Sequence, residues 1–121
     1  MSNEVIRFLV AGFIVVHGIG HAGGYWFFTR SWLSPALADS PFKWIFVLVW
    51  LAALIGFVIA GVGMLQQQSW WRTVAVVTSL VSLLVSVLFI QGPSFNAAVA
   101  DVVILAALLA FNWPSADVVG S

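Results

Sequence analysis

The stretch FKWIFVLVWLAALIGFVIAGVGML, Phe42 to Leu65, decides the fold: 24 residues with a single charge, Lys43, at its edge. About 20 mostly apolar residues suffice to carry a helix through ~30 Å of hydrocarbon. A transmembrane β-strand would alternate polar and apolar positions, and this stretch does not. Working outward, three more stretches read the same way. One runs from about Val5 to Phe28, after the polar Ser2-Asn3-Glu4. Another runs from about Trp70 to Ile90, where Gln91-Gly92-Pro93 stops it. The last runs from about Phe95 to Trp113 and is followed by Pro114. The expected architecture is all-α, an integral membrane antiparallel four-helix bundle forming one domain over residues 1–121, with helices at about 5–28, 42–65, 70–90 and 95–113.

Composition agrees. The 121 residues are 63% hydrophobic and 7% charged, with a mean hydropathy of +1.13, whereas soluble domains carry roughly a quarter charged residues. Net charge is zero, which leaves no electrostatic footprint for nucleic acid. Cysteine is absent, so disulfides, thiolate metal sites and cysteine nucleophiles are excluded together. Ala36-Leu37-Ala38 resembles a small-x-small cleavage site but lies beyond the usual ~15–30 residues, and the first span is expected to be retained. The links are short: Thr29 to Pro41, Gln66 to Ser69, Gly92 to Ser94. Short links make consecutive helices antiparallel neighbours. Trp26, Trp32, Trp44, Trp70, Trp71 and Trp113 fall near span ends, the membrane–water boundary favoured by amphipathic rings, while Trp50 sits inside a span. Arg7 and Arg72 fall on one side, Arg30 and Lys43 on the other, so the positive-inside rule has little to act on. Both termini are expected on the same, cytoplasmic side.

The polar residues inside the spans carry the functional information. An Asp at the centre of a spanning helix costs about 2.5–3.5 kcal/mol on insertion scales, so it faces other helices and has a partner. Asp101 is the one acid well inside a span, and His17 and His21 are the chain's two histidines. In antiparallel register Asp101 falls level with His21 within about a turn. Ser82 and Ser86 on the third helix, and Trp50 on the second, come to similar depth. The i, i+4 spacing of His17 and His21 projects both from one helix face and would let them share one ion, as in helical zinc sites. Gly18 and Gly24 beside them would let a backbone or a flat cofactor approach. Three readings follow. In the first, His17, His21 and Asp101 hold a metal, or a histidine is the axial ligand of a haem or chlorophyll-type ring, with Ser82, Ser86 and Trp50 completing a polar layer. In the second, the layer only specifies packing in an accessory subunit or homo-oligomer. In the third, an Asp–His pair relays protons or passes small solutes within a multimer. Ser79, Ser82 and Ser86, and Ala52, Ala53, Gly56, Ala60 and Gly63, read as helix-packing faces. Asn96 reads as capping the fourth helix. No Gly-x-Ser-x-Gly setting or phosphate loop appears, so conventional catalysis is not expected.

Arg7, the run His17-Gly18-Ile19-Gly20-His21, Gly24 and Trp70-Trp71-Arg72 together resemble a group of small bacterial four-helix membrane proteins, loosely DoxX-like. That group has a comparable His-Gly-x-x-His first helix and a short Trp-rich turn between its second and third helices. Its fourth helix carries a polar amide where this chain has Asp101. The resemblance implies a four-helix bundle, an inner-membrane location, a lean towards membrane redox complexes, and no settled activity. The implied partners are the lipid bilayer and other membrane subunits or further copies of the chain.

Overall fold

The computed structural model describes residues 1–23, 40–88 and 93–119. These form α1 (Asn3–Gly20), extended by a 3₁₀ turn at His21–Gly23, then α2 (Lys43–Leu65), α3 (Trp71–Leu88), α4 (Pro93–Leu105), a π-helical turn at Ala106–Ala110, and a short α5 (Ala116–Val119). Among the described residues there is no strand. Three helical segments, Asn3–Gly23, Lys43–Leu65 and Trp71–Leu88, are long and apolar enough to cross a membrane; Ser94–Ala110 is apolar but shorter.

The boundaries follow local chemistry. α1 starts two residues before the expected Val5 because Ser2 caps it, its Oγ accepting from the Val5 N–H. α2 ends in a Schellman turn, with Gln68 N–H donating to Gly63 O and Gln67 N–H to Met64 O. Gln67 occupies the left-handed position there, at φ 57°, where glycine is the usual residue. Pro93 opens α4 at its first turn, where a missing N–H costs nothing. The fourth helix therefore starts two residues before the expected Phe95, and Asn96 is exposed within its first turn. It ends at Ala110 rather than Trp113, since Asn112 turns into the left-handed region at φ 48°. The expected ends at Phe28 and Ile90 lie outside the described residues.

α1 packs along α2, α2 along α3 and α3 along α4. Each helix buries a stripe at three- and four-residue steps. On α1 these are Ala11, Ile14, Gly18 and, in the 3₁₀ turn, His21; on α2, Val47, Trp50, Ala53, Phe57, Ala60 and Met64; on α3, Trp71, Ala75, Ser79, Ser82 and Ser86; on α4, Ala97, Asp101 and Ile104. The opposite faces are apolar and exposed, for example Phe13, Val16, Leu48, Ile55, Leu84 and Val102, as expected of surfaces that meet acyl chains. The α1–α2 seam is close because two glycines face into it. A Cβ on Gly18 would stand 2.6 Å from Phe57 Cβ, and one on Gly61 would press on Val15 and lie 3.2 Å from Ala11 O. Ala52 departs from the expected packing face and is exposed, whereas Ala53, Ala60 and Gly63 are buried and Gly56 meets Thr78.

Trp71 also departs from expectation. Instead of lying at the boundary it is fully buried, in one cluster with Val118 and Val119. The chain after α4 folds back over that end of the helices. Asn3 Nδ2 donates to Asp117 O at 3.2 Å, Arg7 Nη1 to Val118 O at 3.5 Å and Arg72 Nη2 to Pro114 O at 2.6 Å. Covered by this segment, Trp71 buries its ring rather than presenting it to the interface.

Candidate functional site: a buried histidine–aspartate layer

His17 and Asp101 meet. His17 Nε2 lies 2.7 Å from Asp101 Oδ1, with the carboxylate fully buried and the imidazole 9% exposed. Asp101 arrives on the interior stripe of α4, so the bond joins α1 to α4, helices that otherwise approach each other less closely than the sequential pairs. At 2.7 Å this is in the range of a charge-assisted bond.

His21 makes a different connection. Its Nδ1–H donates to His17 O at 3.0 Å, the i−4 carbonyl, and its Nε2 lies 2.8 Å from Ser82 Oγ on α3. Because a carbonyl only accepts, the proton of the neutral ring sits on Nδ1 and Nε2 accepts from the serine hydroxyl. Both nitrogens of His21 are thus committed within the protein. The rings pack at a tilt against aromatic neighbours from α2: ring centroids lie 4.4 Å apart for Trp50 and His21, 4.7 Å for Phe57 and His17, and 5.4 Å for Phe57 and His21. The two imidazoles themselves meet edge to face at 4.9 Å and share no hydrogen bond.

Most of the sequence-expected residues therefore fall in one layer, with a pairing that depth alone did not give. The carboxylate pairs with His17, one turn from the expected His21, and His21 pairs with Ser82. Ser86 is fully buried in the same stripe, but its Oγ, like Ser79 Oγ and Asp101 Oδ2, has no hydrogen-bond partner among the described residues. Phe57 was missed by the sequence reading. Its signal was present, since it stands seven residues after Trp50 on the same face of α2.

The ligand reading of the site meets a geometric difficulty. Among the described residues no three of His, Cys, Asp or Glu are arranged to hold a metal ion. His17, His21 and Asp101 do not converge as a ligand set, because His21 turns its Nε2 to Ser82 rather than towards the carboxylate. Gly18 makes no room for a flat ring either: the space over it is filled by Phe57 Cβ and, at 3.2 Å, Leu54 O. Gly24 lies outside the described residues. Comparison with protein-family models, with curated proteins and with solved structures gives no match.

Proposed function

We propose that this chain is an integral membrane protein of four antiparallel helices, in a bacterial inner membrane with both termini on the cytoplasmic side. Its buried polar layer sets how the helices pack. It works as a membrane-embedded accessory subunit or self-associating bundle rather than through a bound metal, haem or pigment. One observation carries this reading: the two imidazoles of one helix face are tied to two different helices, His17 to Asp101 on α4 and His21 to Ser82 on α3. In hydrocarbon no water competes for such groups, so each pair favours the arrangement in which it is satisfied over rotated or slipped alternatives. The fourth helix is the shortest apolar one, and its sole acid supplies the bond to α1. The hydrogen bond from Asn3 to Asp117 supports termini on a common side.

The test is protein purified from its native membrane in mild detergent, with absorption spectroscopy, elemental analysis and sizing of the intact assembly. The expected result is no stoichiometric metal or chromophore. Asp101→Asn should assemble normally, since its amide oxygen still accepts from His17, while Asp101→Leu should weaken assembly. A stoichiometric metal or ring that disappears in Asp101→Asn would overturn the proposal.

A second reading has its own observation. Asp101 Oδ2, Ser79 Oγ and Ser86 Oγ are buried acceptors with no protein partner among the described residues, and a carboxylate–imidazole couple inside a membrane can carry a proton. Proton flux into liposomes that is halved or more by Asp101→Asn would favour a relay in a multimer. Flux unchanged by that variant would dismiss it.

A further inference from the structure

Two features meet at the α1–α4 seam, beyond the polar layer. The first is a groove of about 270 Å³ walled by Leu9 and Phe13 on α1 and by Val103 and Leu108 from the fourth helix, ending at Trp113 and Pro114. Its walls are almost wholly apolar, and Leu9, Phe13 and Val103 are themselves exposed towards the surroundings. The groove lies between α1 and the fourth helix, which are joined by the His17–Asp101 bond. The second feature lies where the groove ends. Pro114 O accepts from Arg72 at 2.6 Å, and Arg7, half a turn from Leu9, donates to Val118 O. Both guanidiniums are half-buried and bond to neutral carbonyl or amide oxygens. Among the described residues neither forms an ion pair. Glu4 and Asp117 share this end but point to solvent. Arg7 Nε, Arg72 Nη1 and the Trp71 indole Nε1 are buried and have no acceptor among the described residues.

An apolar channel ending near two arginines that form no ion pair among the described residues matches an amphiphile with a hydrocarbon tail and an anionic head. We propose that the α1–α4 groove is a binding site for an anionic phospholipid. One acyl chain lies between Leu9, Phe13, Val103 and Leu108, and the phosphate lies against Arg72, flanked by Arg7. The depth is consistent, because Arg7 and Arg72 stand at the ends of spanning helices, where phosphates lie. The lipid completes the seam that α1 and α4 leave open.

The experiment uses the full chain in mild detergent, stripped of lipid. Thermal unfolding and native mass spectrometry are recorded with phosphatidylglycerol, with phosphatidylcholine of the same chains, or with inorganic phosphate. A cationic side chain near a membrane surface contributes about 1 kcal/mol with anionic lipid, or roughly fivefold. The expected result is a retained phosphatidylglycerol, preferred over phosphatidylcholine by roughly fivefold or more, with inorganic phosphate ineffective. Arg72→Gln should abolish the preference while keeping lipid binding. Ala107→Trp, which fills the groove, should abolish retention of both lipids. Equal binding of the two lipids by the unsubstituted protein overturns the headgroup assignment without requiring any variant to fold. Stabilisation by inorganic phosphate equal to that by phosphatidylglycerol overturns the acyl-chain assignment, and so does lipid retention undiminished in a folded Ala107→Trp.

Discussion

Replacing His17 by Phe, alone and together with Asp101→Leu, isolates the bond that joins α1 to α4. In the His17→Phe variant the fully buried Asp101 keeps neither of its two oxygens bonded among the described residues, since Oδ2 already lacks a partner there. Stranding a buried polar group costs about 1–3 kcal/mol, and more if it is charged. Asp101→Leu leaves the His17 Nε2 without an acceptor, at a similar ~1–3 kcal/mol. The double variant removes both polar groups, and an apolar pair of comparable volume is close to neutral. Hydrogen bonds in bilayers average only ~0.6 kcal/mol, because the unfolded chain in lipid finds other partners. This pair is sequestered with a short contact, so the coupling expected is about 2 kcal/mol. Reversible unfolding in mixed micelles of mild detergent and dodecyl sulfate, followed by tryptophan fluorescence, measures all four members of the cycle. His17→Phe combined with Gly12→Ala serves as the control, because a Cβ at Gly12 meets nothing within 4 Å and the two changes should add within ~0.5 kcal/mol. A His17–Asp101 coupling below about 0.5 kcal/mol would refute the reasoning.

The two kinds of glycine on α1 should respond oppositely. Gly18→Ala drives a Cβ to 2.6 Å from Phe57 Cβ and 3.2 Å from Leu54 O, so it should destabilise by about 1–3 kcal/mol in the same unfolding assay. Gly12→Ala meets nothing within 4 Å and should stabilise α1 by about 0.5–1 kcal/mol. Ser82→Ala removes the hydroxyl that donates to His21 Nε2. It should cost about 1–2 kcal/mol, with Ser82→Thr recovering most of it; no difference between Ala and Thr would count against the His21 pairing.

Hydropathy and periodicity placed most of this protein. The run Phe42–Leu65 needed no tertiary information to be read as a spanning helix, because insertion energy is close to a sum over residues. The same holds for the interior stripe that carries Asp101, since helical period is a local property and an acid in an apolar run must face inward. Depth counting brought Asp101, the histidines, Ser82 and Trp50 into one layer on helix rise alone. Only the tertiary structure decided the pairing within that layer. Whether a carboxylate reaches His17 or His21, one turn apart, depends on how α4 is rotated and tilted against α1, and no local sum contains that angle. The filling of the space above Gly18 by Phe57 belongs to the same class, as does the burial of Trp71 under the fold-back after Pro114. Those outcomes rest on contacts between segments far apart in the chain, fixed by shape rather than by the character of any one stretch.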